Sequence, residues 1–479
     1  MKNITYVAKR NSKILLFMYL CFLMLIFLFI TSIVTSCTLR YAERNYEPTT
    51  DRNVSKKDES LYFEDRLIVG YESEEYIPSI LKLIGGNIIV KIPEIRALSI
   101  KIEKSVDEVI KKLREIDNLE RYGIRYIEPS YKRFLTPVFG QPESSFQNLL
   151  SRSFSKASRI NYLNNINYTG ESHDFYLWGH RAVNVKEAWD LGYDGEGIII
   201  AVLDTGVDGT HPDLVGQTVT GYRPLYNVET APNEDSSYGG AHGTHVAGII
   251  VARKDGKGIV GAAPRAKIMP IVIFDYGGWY IGDDYTAMGI IWAVQHGAKV
   301  LSNSWGGMGY SQILKDAFDY ALENDVTIVA AAGNSTSSQS FFYPANFPGI
   351  IQVGAAEFNG GNIKTTYFSN GSPMLTVSAP GRDILSTMPS KYSFGYSENS
   401  FKIAENEGYY AFMSGTSMAT PYVAGMAAIL LQKYPNVKPW QIRKLIERTA
   451  LDIDNVGIDE RSGYGFFAAK SILNTFLKK

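Results

Sequence analysis

Gly415-Thr416-Ser417-Met418-Ala419-Thr420-Pro421 decides how the rest of this chain is read. The Gly-Thr-Ser turn opens into an apolar run, Met418 to Leu431, long enough for about four helical turns at a rise of about 1.5 Å per residue. A hydroxyl at the start of such a helix sits among backbone N–H groups with no intrahelical acceptor, at the positive end of the helix dipole. Negative charge developing there is favoured. Pro421 is expected within the first turn, where a missing N–H breaks no bond. Taken alone, Ser417 is a capping serine. Two further segments change that reading.

They are Val202-Leu203-Asp204-Thr205-Gly206-Val207-Asp208 and His242-Gly243-Thr244-His245-Val246-Ala247-Gly248. With Ser417 they give the chain order Asp, His, Ser, one of three unrelated orders in which the same triad geometry occurs. From about Trp178 to about Ile472 the chain resembles the subtilisin-like serine proteases, the subtilases, in all three blocks. The chemistry follows from the residue types. Ser417 is the expected nucleophile, inert until a base takes its proton. His242 is the expected base, and Asp204 holds its tautomer and stabilises the imidazolium. Of the six histidines, His211 precedes Pro212 in a turn, His296 precedes a glycine that ends a helix, and His173 and His180 lie near the domain's start. His245 reads as a packing residue.

The resemblance implies further site residues. Ala331-Ala332-Gly333-Asn334 matches the oxyanion segment, which makes Asn334 a side-chain donor to the developing oxyanion beside the Ser417 N–H. Ser302 to Gly307 matches the segment that pairs with the substrate backbone as an added strand. Ser304, Trp305 and Gly306, with Ala331, Ala332 and Gly333, would line the pocket for the residue before the cut. That pocket carries no charge, so an apolar or broad preference is expected. Asp283 and Asp284 would lie near outer subsites and favour a basic residue there. No cofactor is expected for catalysis. Asp213 and Asp255 stand at positions that ligate calcium in many subtilases, with Asp174 as a third ligand; calcium takes oxygen donors such as these. An ordinary solvated turn at Asp255 is the equal alternative.

The fold class follows from the alternation of segments. Ile198 to Leu203, Ile268 to Phe274, Val300 to Trp305, Thr327 to Ala332 and Ile350 to Ala355 are near-continuous apolar runs, as strands buried on both faces require. Helical stretches, such as Tyr285 to His296 and Gln312 to Asn324, fall between them. The expectation is a doubly wound α/β fold with a mostly parallel sheet and helices on both faces, with the site at the strand C-terminal ends. Ahead of it, residues 63–135 read as a small α+β domain of ferredoxin-like order, β-α-β-β-α-β. Ser105-Val106-Asp107-Glu108 is a capping box opening its second helix. The domain resembles the inhibitory propeptide of subtilases, down to its Tyr126-Ile127-Glu128-Pro129 ending, and implies a zymogen in which this domain is itself a partner of the protease.

The remaining segments concern delivery. Lys2, Lys9, Arg10 and Lys13 precede an apolar stretch, Ile14 to Val34, that ends near Ser36-Cys37. This resembles a bacterial lipoprotein signal, with Cys37 lipidated; the alternative for residues 1–36 is an uncleaved membrane anchor. Either implies export. The only cysteines are Cys21 and Cys37, so no disulfide is expected in the exported part. Residues 37–62 read as a spacer, 136–172 as a linker, and 173–479 as the catalytic domain. A formal net charge of −1 gives no reason to expect a nucleic-acid partner. Arg382 to Ser414 is longer than the family leads one to expect; it either flanks the cleft or decorates the surface. Protein or peptide substrates are implied, cut by an active endopeptidase or a processing peptidase dedicated to one partner. A silent surface module that only binds peptides is the reading from another class.

Overall fold

The computed structural model describes residues 60–116, 118–135, 168–336, 342–359, 362–390, 400–402 and 408–468. The signal or anchor segment, Cys37, and most of the expected spacer and linker lie outside these described residues.

Ile199–Asp204 is the strand around which the larger layer is built. It pairs in parallel with Lys267–Val272 on one side and Val300–Asn303 on the other. Thr327–Ala331 and Ile351–Asn359 continue the sheet in parallel, and Val377–Pro380 pairs in parallel with Ile351–Asn359. The two margins turn antiparallel, at Asn362–Thr365 and at Val228–Thr230. Alternate side chains along each strand point to opposite faces. Accordingly Ile200, Val202, Val300 and Val329 join the core under the helices His242–Val251 and Thr416–Lys433. Ala201, Leu203, Leu301 and Ile328 join the core under Asp283–Gln295 and Gln312–Glu323. The expected doubly wound α/β arrangement is therefore present.

The smaller domain has strands Tyr62–Tyr71, Asn87–Ile92, Ala97–Lys101 and Ile124–Tyr131, with helices Ile77–Ile84 and Val106–Arg114 in the expected order. All its strand pairings are antiparallel. Ser105 caps the second helix through the Glu108 N–H. One face of this sheet, with Leu67, Val69, Leu98 and Ile100, packs on the domain's own helices. The other face, with Ile68, Val90, Ile92 and Ala97, shares a core with Ile290, Ile313 and Phe318 of the larger layer. The two domains are thus joined by apolar packing as well as by the polar contacts described below.

Two expectations change in the structure. The helix begins at Thr416, so Pro421 lies beyond its first turn and inside the helix. The carbonyl of Ser417, which a residue at 421 would ordinarily bond, instead accepts from the Ser304 hydroxyl at 3.0 Å. The segment 382–414 is no mere decoration in its described part. Ile384–Met388, Tyr409–Met413 and Ser400–Lys402 form a three-stranded antiparallel sheet laid against the His242 helix. Ser386 and Thr387 donate to the carbonyls of His245 and Thr244 at 2.7 and 2.8 Å, and His245 Nε2 meets the Ala411 carbonyl at 3.0 Å. Residues 391–399 and 403–407 of that segment lie outside the described residues.

Candidate active site

Asp204 ends the central strand and His242 begins its helix, so backbone architecture brings a carboxylate and an imidazole together from 38 residues apart. His242 Nδ1 is 2.9 Å from both oxygens of Asp204. One of those oxygens also accepts from the Thr205 N–H at 2.7 Å. Both side chains are fully buried. A proton held on Nδ1 by the carboxylate leaves the lone pair on Nε2, the form a general base requires. Gly243 explains how the helix comes so close: a Cβ there would lie 2.3 Å from the Gly206 carbonyl oxygen. Next to the site, burial depresses His245 to about 3, keeping a second imidazole neutral behind the first.

Ser417 stands in the first turn of its helix. Its Oγ donates to the Ser304 carbonyl at 3.0 Å while the Ser304 hydroxyl donates to the Ser417 carbonyl at 3.0 Å. His242 Nε2 has no hydrogen-bond partner among the described residues. In this state the hydroxyl rests on a backbone oxygen, and engaging the base requires it to leave that oxygen. Catalytic hydrogen bonds are commonly loose before substrate arrives.

Asn334 is brought beside the nucleophile turn. Its Oδ1 accepts from the N–H and the hydroxyl of Thr416, at 2.9 and 3.0 Å. The same hydroxyl accepts from the Gly333 N–H at 3.1 Å. Gly333 adopts φ +98°, and a Cβ there would come within 2.4 Å of the Asn370 amide nitrogen. Ala331 ends its strand and Ala332 bonds across to Val353 and Asn370. The segment 331–334 is therefore fixed beside the turn that carries Ser417. Thr416 is the residue that sequence reasoning missed; only its place beside Ser417 could have drawn attention to it.

The expected substrate strand is occupied. Phe134–Leu135, the end of the smaller domain, pairs antiparallel with Trp305–Gly306: Leu135 opposite Trp305 and Phe134 opposite Gly306. Beyond this strand the domain makes a series of polar contacts. Glu128 accepts from the N–H groups of Gln312 and Ile313 at 2.7 and 2.9 Å. Arg66 pairs with Asp284, Arg125 with Asp316, and Arg133 with Asp283. Asp283 and Asp284, expected to meet basic residues, do so here with arginines of the same chain.

The three aspartates named for calcium do not converge, and among the described residues no group of three His, Cys, Asp or Glu side chains is placed to hold a metal. Asp174 is paired with Arg181 at 2.9 Å and accepts from Thr169. Asp213 accepts from the Ile259 N–H and the Tyr410 hydroxyl at 2.9 and 3.0 Å, while Asp255 pairs with Arg253. The loop aims N–H groups at these carboxylates, and those of Asp255, Gly256 and Lys257 at Glu171. Calcium takes carboxylate and carbonyl oxygens turned toward it; with these carboxylates engaged by N–H, hydroxyl and guanidinium donors, the residues as placed do not fit calcium. Desolvation instead pushes Asp213 and Glu171 up to about 7. Tyr422 is buried, with its hydroxyl 3.2 Å from His180 Nδ1.

A parallel α/β layer with a buried Asp-His pair, a helix-start serine and an adjacent asparagine defines a subtilisin-like fold and site. Residues 195–465 match the Subtilase family, and residues 48–130 match a fervidolysin N-terminal prodomain. The chain belongs to the Subtilase family. It is 48% identical over 413 residues to fervidolysin of Fervidobacterium pennivorans, covering 84% of this chain and 57% of that protein. It is 35% identical to subtilisin E of Bacillus subtilis, over 62% of this chain and 69% of that protein. The crystal structure of fervidolysin, described as a keratinolytic enzyme related to subtilisin, superposes with a TM-score of 0.78 and 45% identity, covering 87% of this chain and 62% of that one. The chain thus spans little more than half the length of fervidolysin.

Proposed function

We propose that this chain is an exported serine endopeptidase made as a zymogen, with residues 63–135 as its inhibitory prodomain and residues 173–479 as its catalytic domain. The observation that carries the reading is the antiparallel pairing of Phe134–Leu135 with Trp305–Gly306, because it lays a peptide in extended form one residue from Ser304, on whose carbonyl the Ser417 hydroxyl rests. A peptide added as a strand uses main-chain hydrogen bonds and so tolerates many sequences.

In this mechanism Ser417 Oγ attacks the scissile carbonyl carbon as His242 Nε2 takes its proton. Asp204 stabilises the imidazolium, and the Ser417 N–H and Asn334 bear the oxyanion. Collapse expels the amine, which leaves with the proton from His242. Water, deprotonated by the same nitrogen, then releases the acyl group and restores Ser417. Ser304 to Gly306 and Ala331 to Gly333 line the cleft. Delivery rests on the N-terminal segment: Cys37 is the proposed lipid acceptor, and export of the folded part follows from that segment whether it is a lipoprotein signal or an uncleaved anchor.

The test is labelling by a serine-directed fluorophosphonate together with peptide hydrolysis. Wild-type protein takes the label and cuts peptides, and Ser417→Ala does neither while its circular dichroism is unchanged. Turnover by Ser417→Ala near the wild-type rate would remove Ser417 from this role. Lipidation is read separately: labelled fatty acid tags the wild type and not Cys37→Ala.

A further inference from the structure

Among the side chains of the smaller domain that reach the larger one, one that is almost wholly buried is charged. Arg133 is 1% exposed, two residues before Leu135 on the strand that lies in the cleft. Its Nε and Nη2 donate to the two oxygens of Asp283 at 3.0 and 2.7 Å. Its Nη1 donates to the carbonyls of Met308 and Gly309 at 3.0 and 2.9 Å, and approaches that of Gly307 at 3.4 Å. The guanidinium fork is thus met on both sides, by a carboxylate and by a run of backbone oxygens.

What the larger domain contributes is a receptor for one functional group. Asp283 is fully buried and is steadied by the Tyr280 hydroxyl at 2.8 Å. Leaving a buried carboxylate without its cation costs more than the pair contributes when intact. Among the described residues, the only ion pair of Asp283 is with Arg133, on the segment that a substrate would have to displace. The geometry also discriminates. A planar fork satisfies the carboxylate in two-pronged fashion and still reaches the carbonyls, which the point charge of a lysine cannot do.

Position on the chain completes the argument. Phe134 lies opposite Gly306 and Leu135 opposite Trp305, so the strand runs towards Ser304 and the Ser417 hydroxyl that rests on it. Arg133 is therefore on the N-terminal side of any bond presented to Ser417. We propose that Asp283, with the carbonyls of 307–309, forms an arginine-selecting subsite that reads a substrate residue two positions before the one paired with Trp305. The prodomain holds the cleft by presenting the arginine that substrates must also present. This rests on the endopeptidase reading and adds to it a residue-specific preference.

The experiment uses the full-length protein after it has processed itself, with a quenched peptide of the chain's own segment Tyr131 to Gly140 and two analogues. One carries norleucine and the other lysine in place of arginine. The arginine peptide is expected to exceed the norleucine peptide in kcat/KM by at least about 30-fold, as loss of one partner of a buried charge pair implies, and to exceed the lysine peptide too. In Asp283→Asn the arginine-to-norleucine ratio falls to within a few-fold of one. Should that variant fail to fold, the three peptides on wild-type protein decide. A wild-type enzyme that takes the fluorophosphonate and cuts all three peptides at similar rates overturns the subsite, leaving Asp283 as an anchor for the prodomain alone. Protein that neither labels nor cuts overturns the endopeptidase reading, and the subsite with it.

Discussion

Thr416 carries more of the hydrogen bonding in the nucleophile turn than Ser417 does. Through one hydroxyl and one N–H it ties Asn334 and Gly333 to the start of the serine helix. Holding Oδ1 of Asn334 fixes the plane of its amide, and therefore the direction in which Nδ2 can donate. Asn334→Ala is expected to lower kcat by about 10²–10³, the loss measured for such a donor in a subtilisin, with an unchanged thermal midpoint. Thr416→Val keeps the side-chain shape and removes the hydroxyl. It is expected to lower kcat about tenfold, as misplaced donors lose transition-state stabilisation, while KM holds; Thr416→Ser restores the rate. A Thr416→Val enzyme whose KM rises with unchanged kcat would place the residue in substrate binding instead. Asp204, His242, Asn334 and Ser417 could be picked out in the sequence because each sits in a local motif. Thr416 could not be assigned a task there, since its partners arrive from a strand end more than 80 residues away. Pro421 was misplaced for the same reason: what compensates for its missing N–H is a hydroxyl at position 304.

Helix and strand identities were legible because their apolar periods are strong, and their ends shifted by only a few residues. The tertiary capping was not. The helix Gln312–Glu323 receives no cap from the Ser311 side chain; its first N–H groups are taken by Glu128, 184 and 185 residues away. That contact titrates. Desolvation, helped by the nearby Asp283 charge, raises Glu128 to about 7 in spite of the N–H groups that favour its ionised form. A carboxyl held above its unfolded value of about 4.3 leaves the folded state binding more protons than the unfolded one. Its contribution to stability is complete at low pH and is lost as pH rises from the unfolded value through about 7. In the Ser417→Ala background, which cannot digest itself, the Glu128→Gln variant is expected to gain thermal midpoint relative to its parent over that window and to level off above it. Midpoint differences that stay constant from pH 4 to 8 would show that Glu128 titrates normally.

At the scale of the molecule, the smaller domain behaves as a piece of the core as well as a plug. Ile68, Val90, Ile92 and Ala97 are buried against the helices Asp283–Gln295 and Gln312–Glu323, and each large aliphatic side chain so buried stabilises by about 1.5–3 kcal/mol. The ion pairs Arg133–Asp283 and Arg66–Asp284 lie at the same boundary. Departure of the domain would expose this apolar face and strand two buried carboxylates, so processing should cost the catalytic domain stability even as it frees the cleft. The order of domains was readable from the sequence; this shared core was not, because it joins faces that are each amphipathic in their own right. Two forms of the full-length chain test the point. The Ser417→Ala protein should accumulate with the prodomain still attached by the peptide chain. Wild-type protein, allowed to process itself and then quenched with a fluorophosphonate, should have lost it. With one ligand site saturated at about 100 times its dissociation constant, linkage contributes roughly 2.7 kcal/mol, which for a domain of this size is a midpoint several degrees higher for Ser417→Ala. Equal midpoints, with mass spectrometry confirming that only one form retains residues 63–135, would show that the prodomain occupies the cleft without supporting the fold. A Ser417→Ala protein found already processed would show instead that another protease makes the cut.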